Sequence, residues 1–233
     1  MAKALAIDDF GPAISAAVGP RLVALVLYGS AARGTDARSA DTLLIVDRVD
    51  ESLFSALEPV VARWTAAGHP VPLVFSQAEW GQSADAFAVE YTDIRAASRL
   101  LAGRDPWDGV RVNPADLRRQ LEHELRGKVI RLRQGYLAAR GNGRRLGLVV
   151  RESASGVLAM LRALLRLTGR AVPAEAAAAV REAGAVAGID GRSAAALIEE
   201  AASGKVNASR HDGRVAAYLE FVGRIAEYVN GMQ

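Results

Sequence analysis

The chain has 233 residues, of which 51% are hydrophobic and 24% are charged, a composition typical of a folded globular protein and not of a disordered one. It contains no cysteine, which excludes disulfides, thiolate metal sites and cysteine nucleophiles. The formal net charge is +3, but residues 1–112 hold 10 Lys/Arg against 14 Asp/Glu, whereas residues 113–233 hold 19 against 12.

The apolar stretches predict neither a secretory signal nor a membrane span. The N-terminus carries a single Lys3 and no long apolar run. The most apolar later stretch, residues 146–167, is interrupted by charged side chains at Arg151, Glu152, Arg162 and Arg166. We therefore expect a cytoplasmic protein with no membrane partner.

The first elements are a helix, a strand, a tight turn and a second strand. The helix covers residues 6–18 and is expected to be interrupted at Gly11-Pro12. An apolar strand follows over Leu22–Tyr28, then a turn at Gly29-Ser30, a polar connection, and a second apolar strand from Asp41 to Val46. Glycine permits the sharp turn, after which free backbone N–H groups and the Ser30 hydroxyl can converge on a phosphate.

Ser30 and Asp41 are separated by ten residues, which gives the pattern GSx10D. The stretch resembles the GSx10DxD signature of the nucleotidyltransferase superfamily, as found in minimal nucleotidyltransferases and kanamycin nucleotidyltransferase. The positions that match in register are Gly29, Ser30, Ala32, Arg33, Gly34 and Asp41. The resemblance implies that Gly29, Ser30 and Arg33 contact the phosphates of ATP or another NTP, and that Asp41 is a catalytic residue and Mg²⁺ ligand.

The chain departs from the signature at the second aspartate, where it has Leu43. Residues i and i+2 of a strand share one face, and in the family two carboxylates there hold Mg²⁺, which requires oxygen ligands. Leucine offers none. Asp47 has the same parity as Asp41, but it lies about 20 Å further along a strand. The sequence therefore predicts an incomplete metal site.

The elements that follow indicate an α/β (α+β) domain with a small mixed sheet. A helix is predicted over residues 51–67 and a third strand over 71–75, which gives a βαβ-like order. In kanamycin-type relatives a glutamate beyond the aspartate pair is the general base. The next acids along the chain are Glu79, Glu90 and Asp93, and Glu90 and Asp93 lie one helical turn apart, where both can face the cleft. Glu90 is our candidate for that catalytic role and Glu79 is an alternative, while a solvated helix face next to Phe87 and Tyr91 explains the sequence equally well.

The second half has a helical pattern throughout. A short segment at Arg99–Gly103 resembles the closing element that precedes the C-terminal helices in such proteins, and Asn113-Pro114 then begins a helix that runs to about Ala139. Further helices are predicted over residues 144–167, 174–187, 193–202 and 213–229. Short links between them indicate an antiparallel bundle. We predict two domains, residues 1–110 and residues 111–233.

Residues 113–151 hold 10 Lys/Arg and 3 Asp/Glu. Four arginines recur every seven residues on one face of the first C-terminal helix, at Arg119, Arg126, Arg133 and Arg140. In kanamycin-type relatives a helical domain helps line the cleft, so the resemblance implies that this region, with Lys128 as the candidate phosphate ligand, can face a nucleotide. The alternative is a solvated surface with helix pairs such as Glu122 with Arg126 and Glu124 with Lys128. Nucleic acid is disfavoured as a partner because no aromatic residues are interleaved for base stacking.

Three functional hypotheses follow. The leading one is a catalytically impaired or inactive nucleotidyltransferase-like protein that still binds a nucleotide or a protein partner, including a second copy of itself. The second is an active enzyme that needs Mg²⁺ and ATP or another NTP, and that transfers an NMP group to a hydroxyl of a small molecule or protein by means of a non-standard carboxylate. The third is an interaction module that needs no nucleotide or other cofactor.

Overall fold

The computed structural model describes residues 4–34, 39–204 and 206–232. It divides into two compact units. The sheet unit comprises Met1–Phe87 and Tyr91–Val112, and the helical unit comprises Ala88–Glu90 and Asn113–Gln233. Part of the connection after Gly29-Ser30, Thr35–Arg38, lies outside the described residues.

The sheet unit contains a four-stranded mixed sheet in the order β3-β2-β1-β4. Its strands are β1 Leu22–Tyr28, β2 Asp41–Val46, β3 Leu73–Ser76 and β4 Ser98–Gly103. Strand β1 pairs antiparallel with β2 and β4, whereas β2 and β3 are parallel, with helix α2 (Glu51–Ala66) in the crossover. The two central strands are almost continuously apolar because both faces of the sheet are covered. This architecture confirms the predicted mixed sheet.

Helices cover the two faces of the sheet with separate apolar clusters. On one face, α1 (Ile7–Val18) and α2 pack against β1 and β2, and the rings of Phe10 and Trp64 stack at 3.9 Å. On the other face, α3 (Gln77–Gln82) and α4 (Ala88–Ala96) contribute Trp80 and Tyr91, whose rings also stack at 3.9 Å. Side chains that alternate along β2 therefore enter different clusters.

One local prediction needs correction, and one segment gains an assignment. Helix α1 is not interrupted at Gly11-Pro12, since it continues from Ile7 to Val18 with Pro12 inside it. Gly11 is required there by packing, because a Cβ atom would lie 2.9 Å from the carbonyl oxygen of Leu101. The segment Arg99–Gly103, whose secondary structure was not predicted, forms most of edge strand β4.

The helical unit contains α5 Pro114–Ala139, α6 Gly143–Leu167, α7 Ala176–Val186, α8 Arg192–Ala202 and α9 Gly213–Asn230. Asparagine or aspartate side chains cap three of the N-termini, at Asn113, Asn142 and Asp212. Helix α6 contacts all four other helices, and its Ser153 hydroxyl lies 3.0 Å from the buried Tyr218 hydroxyl of α9. This unit confirms the predicted helical bundle. None of the helices in the described residues is long and apolar enough to cross a membrane.

Candidate functional site

The turn after β1 provides the backbone donors that the sequence predicted. Gly29 has a φ of 74°, which favours glycine, and its N–H donates to the Ala97 carbonyl at 3.0 Å. The N–H of Arg33 donates back to the Gly29 carbonyl at 3.1 Å, so the turn closes on itself. The N–H groups of Ala31 and Ala32 have no acceptor among the residues that the structure describes. They are the donors open to an anionic ligand beside Ser30.

Asp41 lies directly beside this turn. It is the first residue of β2, pairs with Tyr28, and its Oδ2 would be 3.4 Å from a Cβ atom placed on Gly29. Burial raises the pKa of the Asp41 carboxyl above its ordinary value. No hydrogen bond or ion pair to this carboxylate is found in the described part of the chain. The geometry thus places a half-buried carboxylate, without an ion pair among the described residues, beside a turn with backbone donors.

Leu43 shares the face of β2 that carries Asp41. Its side chain is fully buried and belongs to the cluster formed with Trp80, Tyr91 and Ile94. The position of the second aspartate in the family signature is therefore part of an apolar core. No group of three or more His, Cys, Asp or Glu residues that could hold a metal occurs within the described ranges. These residues do not fit a two-carboxylate Mg²⁺ site, although one carboxylate suits an Mg²⁺ ion carried by a nucleotide.

Arg33 is held by an acid that the sequence did not single out for this contact. Its guanidinium lies 3.0 Å from Oδ1 of Asp93 on α4, and the two side chains are only 15% and 19% exposed. The ion pair and the hydrogen bond from Gly29 to Ala97 both attach the turn to α4 and its end. Asp93 is consequently the carboxylate that the structure brings to the turn in addition to Asp41.

The two glutamates considered as replacement ligands have other contacts. Glu79 forms the capping box of α3 with Ser76, and these hydrogen bonds lower the pKa of its carboxyl. Glu90 is exposed, and its Oε2 accepts a hydrogen bond from Nε2 of Gln120 at 2.8 Å. Gln120 also accepts from the N–H of Val89 at 2.8 Å. Glu90 thus belongs to the helical unit, whereas Asp41 belongs to the sheet unit.

Lys128, the remaining predicted phosphate ligand, lies on α5 within the helical unit. Its Nζ would be 2.9 Å from a Cβ atom placed on Gly156 of α6. Burial lowers the pKa of the Lys128 ammonium, the charge of Arg131 lowers it further, and Glu124 raises it. The structure therefore gathers Gly29, Arg33 and Asp41 around one turn and places Lys128 in a different unit.

Comparison with known proteins supports the fold. The chain matches the crystal structure of spectinomycin adenyltransferase AAD(9) from Enterococcus faecialis, solved with ATP and spectinomycin. The TM-score is 0.58, and the match covers 94% of this chain and 97% of that one. Sequence identity is 12%, so the likeness is one of fold. No protein-family model matches the chain, and no curated protein does.

Proposed function

We propose that this chain is a nucleotidyltransferase-like protein that binds a nucleoside triphosphate at the Gly29-Ser30 turn and has impaired or no transferase activity. The observation that carries the proposal is the pairing of the Asp41 carboxylate, which has no ion pair within residues 4–34, 39–204 and 206–232, with a fully buried Leu43 two residues later. The turn supplies phosphate donors, while the metal clamp lacks one oxygen ligand. The shared fold with an adenyltransferase solved with ATP supports the nucleotide as ligand.

An active enzyme is the second candidate, and one contact favours it. Asp93 lies at the turn through its ion pair with Arg33, so a second acid is available near Asp41. If Arg33 moves to a phosphate when the nucleotide binds, its ion pair with Asp93 is broken. In this reading Asp93 takes the place that the sequence left open to Glu79 or Glu90.

One experiment distinguishes these functions from a nucleotide-independent interaction module. The protein is incubated with labelled ATP, GTP, CTP or UTP and Mg²⁺ or Mn²⁺, with calorimetry for binding and a pyrophosphate assay for turnover. We expect binding of at least one nucleotide without pyrophosphate release. Release that is lost in Asp41→Ala and in Asp93→Asn would establish the active enzyme. Absence of binding by all four nucleotides would establish the interaction module and refute the proposal.

A further inference from the structure

A cavity of about 270 Å³ lies between α5 and α6, wholly within the helical unit. Its polar lining is provided by Lys128, Arg131, Glu152 and Ser153. The remaining lining residues are Leu132, Gly135 and Val149. The Ser153 hydroxyl is already bonded to backbone carbonyls of its own helix and to Tyr218. The donors left to a ligand in this cavity are therefore the two cations.

Lys128 is directed into the groove between the helices and not toward the acid one turn before it. The neighbouring pair Glu122 and Arg126 forms the expected ion pair at 3.1 Å. Glu124 and Lys128 have the same spacing, yet no ion pair joins them in the described part of the chain. The ammonium instead lies over Gly156, where any larger residue would meet it. Glycine inside a helix costs about 1 kcal/mol relative to alanine, so its presence at this position calls for a packing reason.

Arg131 is the second cation, one helical turn after Lys128. Its guanidinium lies over Gly127, with Nη1 3.4 Å from the position of a Cβ atom there. Neither Arg131 nor Glu152 takes part in an ion pair or hydrogen bond found among the described residues. Two like charges at this spacing destabilise a helix by a few tenths of a kcal/mol. Among the described residues, the lining thus holds two cations against the exposed Glu152 carboxylate, and the attraction of Glu124 for Lys128 is weaker than the repulsion from Arg131.

We propose that this cavity binds a phosphate-class oxyanion, inorganic phosphate or pyrophosphate, with the Lys128 ammonium and the Arg131 guanidinium as its donors. Charge-assisted hydrogen bonds from both cations would relieve their repulsion. The cavity lies below the range of about 300–1,000 Å³ typical of sites for larger organic ligands, which favours a small anion over a whole nucleotide. The site does not depend on nucleotide binding at the Gly29-Ser30 turn.

Calorimetric titration of the full chain with pyrophosphate and with phosphate, at matched ionic strength and without nucleotide, tests the proposal. The variants are Lys128→Gln and Arg131→Gln, and the control is Arg140→Gln, which removes one exposed charge from the C-terminal cap of α5. Loss of a charged hydrogen bond corresponds to about a tenfold or greater loss of affinity. We expect this loss in both variants and less than about a twofold change in the control.

Two further variants test the shape of the cavity and the location of the anion, separately from the effect of charge. Gly156→Ala keeps every charge but places a methyl group 2.9 Å from the Lys128 ammonium, which must move aside, so we expect weaker binding in a folded protein. The loss of anion affinity in Lys128→Gln should be the same with and without Asp41→Ala, because Asp41 belongs to the proposed nucleotide site. No binding by the wild type, unchanged binding in Lys128→Gln, or an equal loss in Arg140→Gln would each overturn the proposal. An effect of Asp41→Ala alone would assign the anion to the turn instead.

Discussion

Asp41 and Leu43 lie two residues apart on one face of β2, and their surroundings differ completely. Asp41 is half-buried beside the turn, and burial raises the pKa of its carboxyl. Leu43 is fully enclosed by the cluster that contains Trp80 and Tyr91. Leucine at position 43 thus extends the apolar core to the edge of the turn. A second carboxylate cannot be restored there without desolvating it.

This enclosure predicts that Leu43→Asp destabilises the protein more than Leu43→Ala. The alanine variant should lose about 3 kcal/mol of unfolding free energy through the cavity it leaves. The aspartate should lose about 2 kcal/mol more at neutral pH, because an ionised carboxylate is buried among apolar groups. Urea denaturation of both variants at pH 7 and pH 5 measures the difference.

The unfolding free energy of Leu43→Asp should depend on pH, and burial of the carboxyl fixes the direction of that dependence. Burial raises the pKa of a carboxyl in the folded state, so the introduced aspartate costs least when it is protonated and its cost grows as pH rises. The difference in unfolding free energy between Leu43→Asp and Leu43→Ala should therefore be smaller at pH 5 than at pH 7. A gap that is equal at both pH values would show that the introduced carboxylate reaches solvent. Recovery of stability on addition of Mg²⁺ and ATP would show that the turn and Asp41 still hold a nucleotide.

The turn and Asp41 could be predicted from sequence because they depend on residues close together in the chain. Glycine at the positive φ of residue 29, the apolar strands and the ten-residue spacing are all local features. The ion pair between Arg33 and Asp93 joins residues 60 apart and depends on where α4 packs. The Lys128 ammonium likewise lies over Gly156, in a different helix. Such contacts have no local signal in a single sequence.

At the scale of elements, β4 was the strand that sequence could not identify. Its residues are mostly exposed, with Leu100 46% accessible, so Ser98–Gly103 lacks the alternation that marks a half-buried strand. Pairing with β1 makes it a strand, and it ends at Gly103 with a φ of 85°. A Cβ atom on Gly103 would lie 2.3 Å from the Val23 carbonyl oxygen. The strand therefore depends on a close backbone approach that only glycine allows.

We expect Gly103→Ala to destabilise the sheet unit by about 3 kcal/mol, from left-handed strain and from the overlap with Val23. The matched control is Gly109→Ala, because Gly109 has a φ of 74° but nothing within 4 Å of its Cβ position. The control variant has the backbone strain but no steric overlap, so its unfolding free energy should fall by only about 1–2 kcal/mol. Chemical denaturation of the two variants gives both values. Equal losses would mean that the backbone at β1 and β4 shifts freely to admit a methyl group.

At the scale of the whole molecule, the contact pattern divides the chain near the predicted boundary between residues 110 and 111. Folding as two independent domains is a separate property, and it remains a prediction. The three tryptophans, Trp64, Trp80 and Trp107, all belong to the sheet unit. Their fluorescence reports that unit alone, whereas far-UV circular dichroism is dominated by the long helices of the other unit. The two signals together can separate the unfolding of the two units.

Tyr218→Phe is the variant suited to this separation, because it removes one buried hydroxyl from the core of the helical unit. The Ser153 hydroxyl lies within hydrogen-bond distance of the Val149 and Val150 carbonyls and 3.0 Å from the Tyr218 hydroxyl, and either hydroxyl of that pair can donate to the other. Ser153 keeps its hydrogen bonds to the backbone in the variant, and we expect the unfolding free energy of the helical unit to fall by about 1 kcal/mol. If the units are separate domains, the circular dichroism transition moves to lower urea while the tryptophan transition stays in place. Leu43→Ala should move the tryptophan transition alone. A joint shift of both signals in either variant would show that the chain unfolds as one cooperative unit.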